Sequence, residues 1–252
     1  DTDEHNLGEE MTLNCIHLNE VDSTNSYLKQ HRAECPDGTL VTADIQTAGK
    51  GRRGHSWLAD GGMLPFSLLL KSPKHADTLT LCAAVAVCES LEALLPDEQF
   101  GIKWPNDIIL RGHKLCGILC ESVCFGSSID VVCGIGINLA QPAEFFAQAG
   151  LPHGGSLKML TGFEPADRVQ LACDIAGRLY EYSQDGFSAV YGGYKRRCLT
   201  LGREIRIISG DEERRAFAED IAPNGFLICS DESGRFEVNS GEVSVRGLLD
   251  YI

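Results

Sequence analysis

The chain has 252 residues, 43% hydrophobic and 23% charged, a balance that supports one large packed domain, or a large and a small one, and excludes a disordered or fibrous protein. Its 36 acidic residues against 22 basic give a formal net charge of -14, which repels phosphate backbones except where cations gather locally and so disfavours a nucleic-acid binder. The sequence holds no unbroken apolar run of the ~18 residues that would cross a bilayer, and the acidic stretch 1–10 lacks the apolar core of a signal peptide, so a cytoplasmic location is expected.

In chain order, residues 1–10 are expected to form a disordered acidic tail and 12–19 a short strand. Asp22-Ser23-Thr24-Asn25 offers several side-chain oxygens just before Tyr27, Leu28 and a helix-forming run to about 34. That is the pattern of a helix N-terminus whose free amides point at whatever lies in front. Residues 39–45 mix β-branched side chains with alternation and predict a strand, 46–54 an exposed glycine-rich basic loop, and 66–70 a buried strand. Leu81, Val85, Cys88, Leu91 and Leu95 recur at three- and four-residue steps, which predicts a helix over 78–95, stopped by Pro96 and covering a sheet. Strands at 101–104, 107–110, 115–122 and 129–138 and a helix at 165–184 complete an α/β or α+β domain. After about Arg197 the texture changes. Short strand-like runs at 204–209, 214–222, 225–230, 235–238 and 242–246 alternate with turn signals, predicting a small all-β, barrel-like unit.

The densest chemical signal is Gly49-Lys50-Gly51-Arg52-Arg53-Gly54, where glycines let backbone amides approach an anion and three cations stand beside it. It also spells the dinucleotide-binding Gly-x-Gly-x-x-Gly, but that motif opens a helix, and the following His55-Ser56-Trp57-Leu58 does not begin one. Taken alone, the stretch equally fits a solvated basic loop. Lys103-Trp104-Pro105-Asn106-Asp107 packs a cation, an aromatic and two polar side chains around a turn former, which a core tryptophan followed by a turn would also produce. Lys114 stands at the mouth of an apolar strand, where it is either a carboxylate partner or a solvated charge. Gly134 and Gly136 lie inside a strand that ends at Asn138, an arrangement that invites close approach of another backbone or a ligand. The eleven cysteines are an odd, scattered set and read as free thiols. Cys116, Cys120 and Cys124 fall on one strand face and lack zinc-ligand spacing, so no structural zinc is expected.

Taken in order, Asp22-Ser23-Thr24-Asn25, Gln46-Thr47-Ala48-Gly49-Lys50-Gly51-Arg52-Arg53-Gly54, Trp57, Lys103-Trp104-Pro105-Asn106-Asp107, Lys114-Leu115-Cys116-Gly117-Ile118-Leu119 and Gly134-Ile135-Gly136-Ile137-Asn138 resemble the pattern of the biotin protein ligases, with a matching tail at 240–246. The resemblance spans about 13–246 and implies an α+β fold: a class II synthetase-like catalytic domain over 11–197, its mixed sheet packed with helices, and an SH3-like β-barrel over 198–252. It implies a two-step ligase that forms biotinyl-5′-adenylate from biotin and Mg-ATP, then passes biotin to a lysine of a biotin carboxyl carrier protein of the acetyl-CoA carboxylase type.

By the same resemblance, Ser23, Thr24, Asn25, Gln46, Gly49, Lys50, Gly51, Arg52, Lys114 and Gly117 bind biotin, the first three near its ureido group. Arg52, Arg53, His55, Trp57, Lys103, Asn106, Asn138 and Arg246 bind ATP, with Trp57 stacking on adenine. Lys114 and Arg52 are the catalytic pair, and Asn106 and Asp107 lie near magnesium. The segment 49–60 is expected to close over the adenylate. Lys50, His55, Met63 and Pro65 depart from the pattern, the last two standing where asparagine and tyrosine are expected. About a dozen residues precede the matching region, so a DNA-binding repressor domain is not expected, and the resemblance leaves a homodimer open. Two readings compete: a lipoate-type ligase, and a non-catalytic protein that senses biotin.

Overall fold

The computed structural model describes residues 13–54, 57, 61–126, 128–241 and 244–247. The expected acidic tail, His55 and the first two positions of the predicted strand 242–246 lie outside the described residues, and Arg53 is described by its backbone alone.

A seven-stranded mixed sheet organises the larger part, in the order β1 (Asn14–Val21), β2 (Thr39–Gln46), β3 (Met63–Leu70), β7 (Ser128–Asn138), β6 (His113–Phe125), β5 (Asp107–Leu110) and β4 (Phe100–Lys103). β1 and β2 run parallel, and the other neighbours run antiparallel. Because strand side chains alternate, each central strand serves two faces. Leu40, Leu68, Val131 and Cys133 join the main core, whereas Val41, Leu69 and Val132 join a second, smaller cluster with Leu28 of α1 (Thr24–His31). That double burial explains the nearly continuous apolar run of β3. β3 begins at Met63 rather than 66 and contains Pro65. The β2 ladder stops at Phe66, so the proline falls beyond it, where a missing amide costs no pairing on that side.

The main-core face is covered by α2 (Leu79–Leu94), α5 (Arg168–Asp185) and α6 (Phe187–Arg197). Of the predicted face of α2, Leu81, Val85, Cys88 and Leu91 are buried, while Leu95 is half-buried just past the helix end, and Ala83, Ala84, Ala86 and Val87 are buried too. α5 and α6 close over the outer side, so the helix is apolar nearly all round. α6 and the short helices α3 (Ala143–Gln148) and α4 (Leu157–Thr161) are not among the predicted elements.

A second sheet holds β8 (Arg203–Ser209), β9 (Glu212–Ile221), β10 (Leu227–Asp231), β11 (Gly234–Val238) and β12 (Ser244–Gly247), all antiparallel in the order β11-β10-β9-β8-β12. It is fastened to the larger part by directional contacts. Trp104 Nε1 donates to Gly225 O at 3.1 Å, Tyr191 Oη to Ile221 O at 2.5 Å, and Lys195 pairs with Asp220 at 2.5 Å. No helix among the described residues is long and apolar enough to cross a membrane.

Candidate active site

The face of the large sheet that carries α1 also carries an open cavity of about 450 Å³. Its floor is made by glycines on that face. An added Cβ at Gly134 would meet Asn25 Oδ1 at 2.2 Å, one at Gly117 would meet the Trp57 ring at 2.8 Å, and one at Gly136 would meet Trp57 Nε1 and Met63 Cε, both at 2.5 Å. Glycine is required here because Asn25 and the Trp57 indole pack directly against the strands.

At one end stands the N-terminus of α1. Ser23 caps it, accepting from Ser26 N at 3.4 Å, and Thr24 N and Oγ1 both donate to Gln46 Oε1, at 2.8 and 3.0 Å. Ser23, Thr24, Asn25 and Gln46 all line the cavity, so two segments distant in sequence meet as one polar cluster.

The remaining wall is cationic in an otherwise acidic protein: Lys50, Arg52, Lys103, Lys114 and Arg246 all line it. Lys114 Nζ pairs with Asp107 Oδ1 at 2.7 Å and lies 5.2 Å from the Trp57 ring centroid. Arg52 Nη1 donates to Asn106 Oδ1 at 2.9 Å, and Nη2 donates to Ser240 O, so one guanidinium spans the glycine-rich loop, the Lys-Trp-Pro-Asn-Asp turn and the second sheet. Lys50 Nζ reaches Ser26 Oγ at 3.2 Å. Lys103 is buried, and that burial pushes its ammonium down to about 7. Asp107 opposes the shift, while Arg246 and Lys114 add to it. An anion entering here would meet several cations that Asp107 balances only in part.

Asn106 Nδ2 donates to Ile118 O at 2.9 Å, and Asn138 Nδ2 to Gly155 O at 3.2 Å and Lys114 O at 3.4 Å. The Trp104-Pro105 peptide is cis. Of the residues expected from the sequence, Gly49 does not line the cavity. It is buried behind the loop with its carbonyl accepting Trp57 N–H at 2.9 Å, and a Cβ there would stand 2.4 Å from Trp57 O. Asn106 and Asp107, expected near magnesium, are engaged with Arg52, Ile118 and Lys114. Among the described residues no three His, Cys, Asp or Glu side chains cluster as a metal site.

A further wall is absent from the sequence reading: Phe145 and Phe146 of α3, Pro152 and His153. Lys114 N donates to His153 O at 2.6 Å and Gly155 N to Lys114 O at 3.1 Å, which ties this loop beside the lysine. Its only signal is the Phe145-Phe146 pair, and a six-residue helix is too short to show a period. Met63, a departure from the expected pattern, accepts from Trp57 Nε1 at 2.9 Å.

This geometry agrees with likenesses that span most of the chain. A family profile described as the Biotin/lipoate A/B protein ligase family matches residues 18–138, and one described as the Biotin protein ligase C terminal domain matches 200–246. The biotin--[acetyl-CoA-carboxylase] ligase of Paracoccus denitrificans is 31% identical over 239 residues, covering 91% of this chain and 100% of its own length. The protein of the same name from Mycobacterium tuberculosis is 33% identical over 236 residues, covering 88% and 85%. The structure of biotin protein ligase from Aquifex aeolicus in complex with biotin and ATP superposes with a TM-score of 0.79 at 32% identity, over 93% of this chain and 99% of that one. With its sequence motifs gathered around one cavity and both of its sheets matched, the chain belongs to the biotin protein ligase family.

Proposed function

We propose that this chain is the ATP-dependent enzyme that joins biotin to a lysine of a biotin carboxyl carrier protein. One observation carries the reading: a single cavity is lined both by a neutral hydrogen-bonding cluster at the N-terminus of α1 (Ser23, Thr24, Asn25, Gln46) and by five cationic side chains, of which Lys50 reaches that helix while Arg52 and Lys114 are held at Asn106 and Asp107. A neutral ring with a carboxylate tail and a nucleoside triphosphate make the same division of polar and anionic surface.

In the first step a biotin carboxylate oxygen attacks the α-phosphorus of ATP, and the bond to pyrophosphate breaks, leaving biotinyl-5′-adenylate. Two anions must approach, and Lys114 and Arg52 neutralise both the carboxylate and the charge that develops on the α-phosphate. Lys103, Asn106, Asn138 and Arg246 hold the nucleotide, with Trp57 against adenine, and Arg53 and His55 are further candidates for nucleotide binding by the family resemblance alone. Asn106 and Asp107 would be the nearest protein oxygens to a magnesium ion carried by the triphosphate, which would be held mainly by phosphates and water and would neutralise phosphate charge. In the second step the carrier lysine Nζ attacks the activated carbonyl and AMP leaves. Between the two steps the loop 49–60 keeps water from the adenylate. Proteolysis of that loop that is equally fast with and without biotin plus ATP counts against its closing.

The test is pyrophosphate release on adding biotin and ATP, followed by biotin transfer to an isolated carrier domain, with lipoate as the control. Release with biotin and none with lipoate supports the reading. Release with lipoate alone replaces the substrate but keeps adenylation, and biotin binding without any release points to a sensor.

A further inference from the structure

The Asn25 amide is held so that it cannot be turned around. Nδ2 donates to Leu119 O at 3.2 Å and to Glu121 Oε2 at 2.8 Å, while Oδ1 accepts from Ser67 Oγ at 2.6 Å. A main-chain carbonyl and a carboxylate can only accept, so their positions decide which end of the amide is nitrogen. Glu121 is itself anchored by Lys29 Nζ at 2.7 Å. Burial would raise its carboxyl, but the hydrogen bonds from Lys29 and Asn25 outweigh that and hold it below the usual range, which keeps it an acceptor at neutral pH. Gln46 is oriented in the same way: Thr24 N–H can only donate, so Oε1 faces Thr24 and Nε2 is left as a donor.

The hydrogen-bonding balance at this end of the cavity follows. Both Asn25 N–H groups are used, which leaves the second lone pair of Oδ1, whereas Gln46 has its oxygen used and its N–H groups remaining. Asn25 and Gln46 both line the cavity, and the hydrogen-bonding capacity each has left is an acceptor on Asn25 and a donor on Gln46. A cyclic urea supplies the matching N–H and carbonyl, and a dithiolane ring supplies neither. Ser67 and Glu121 do not line the cavity and act through Asn25.

We infer that Glu121 and Ser67 are positioning residues for substrate choice: by locking the Asn25 amide, they make this end of the cavity accept a cyclic urea and refuse a dithiolane. The inference rests on the proposal that this end receives the biotin ring. A site whose buried polar groups are left unpaired by the wrong ligand discriminates far more strongly than one that reads shape alone.

The experiment is ATP–pyrophosphate exchange, which needs only biotin and ATP, on the wild type, Glu121→Gln, Ser67→Ala, Asn25→Ala and the Asn25→Ala/Glu121→Gln double variant, with melting curves for each. Glu121→Gln keeps the side-chain size but can offer Asn25 either a nitrogen or an oxygen. The expected result is a biotin KM raised about tenfold by each of Glu121→Gln and Ser67→Ala, the loss of roughly one hydrogen bond. Maximal exchange rate and ATP KM should stay within about twofold, with no further effect of Glu121→Gln in the Asn25→Ala background. Wild-type biotin KM in both positioning variants, alongside a raised KM in Asn25→Ala, overturns the inference and leaves the proposed function standing. Wild-type biotin KM in Asn25→Ala removes the premise as well. An ATP KM that rises in step with the biotin KM, or a Glu121→Gln effect that persists in full in the double variant, shows general disturbance and also overturns it.

Discussion

Lys103 is a buried cation that is half discharged before any ligand arrives, and the consequence for nucleotide binding can be calculated. Its folded-state pKa of about 7 lies far below the ordinary 10.5. If a phosphate must meet the charged ammonium, binding restores the proton, and affinity falls as pH rises above 7. The loss approaches tenfold per pH unit and totals about fifty-fold between pH 7 and 9. At pH 8 binding should take up about 0.9 proton. Folding shifts in the opposite sense. Between the folded value near 7 and the unfolded 10.5 the unfolded chain binds more protons, so this lysine makes stability rise as pH rises through that window. The assay is calorimetric titration of a non-hydrolysable ATP analogue, with biotin present, in buffers of different ionisation enthalpy over pH 6–9. It is run on the wild type and on Lys103→Met, which cancels the nucleotide's own titration. Equal proton uptake in the two proteins refutes the reasoning.

Gly136→Ala places a Cβ 2.5 Å from Trp57 Nε1, so the ring must leave the sheet, at the cost of about 1–3 kcal/mol typical of overpacking. Trp104 is buried, so a red shift in tryptophan emission would report Trp57, and an unchanged spectrum contradicts the contact. Arg52→Lys should fail as completely as Arg52→Ala, losing about a hundredfold in adenylate formation, because one ammonium cannot span Asn106 and the Ser240 carbonyl together. Full activity in the lysine variant would refute the spanning role. Trp104→Phe strands the Gly225 carbonyl and should lower stability by about 1–3 kcal/mol, read as a drop in Tm. A Tm equal to wild type would show that the contact between the two parts is dispensable. With a thiol reagent, exposed Cys15 and Cys124 should react first, while Cys82, whose thiol burial pushes up to about 12, waits for unfolding. Early labelling of Cys82 would argue against the packed α2.

Much of the site was legible because its residue types are unusual in combination. Three cations among glycines in an acidic chain, and Lys103-Trp104-Pro105-Asn106-Asp107 in five positions, are local signals, and the cavity takes in Lys50, Arg52, Lys103, Asn106, Asp107 and Lys114 together. What was not legible lies in pairing. In the sequence Ser67 is one polar residue within an apolar run and Glu121 lies near the end of another, and neither has meaning until β3 and β6 bring them to Asn25. Short α3 and α4 gave no period, and α6 carries two consecutive glycines that weaken helix propensity. Its packing on α2 and its contacts with β9 supply what propensity does not.

The amino-acid sequence by itself determined the alternation of strands and helices, the change to short strands after about residue 197 and the order of the family motifs, because period, turn chemistry and residue type are written locally. The tertiary structure alone decided that the face of the sheet not covered by α2 holds the cavity, that three glycines are its floor, and which way the Asn25 and Gln46 amides point. Those properties depend on strand order and register. Register places residues about 40 to 95 positions apart within hydrogen-bond reach, and no local pattern encodes a distance of that kind.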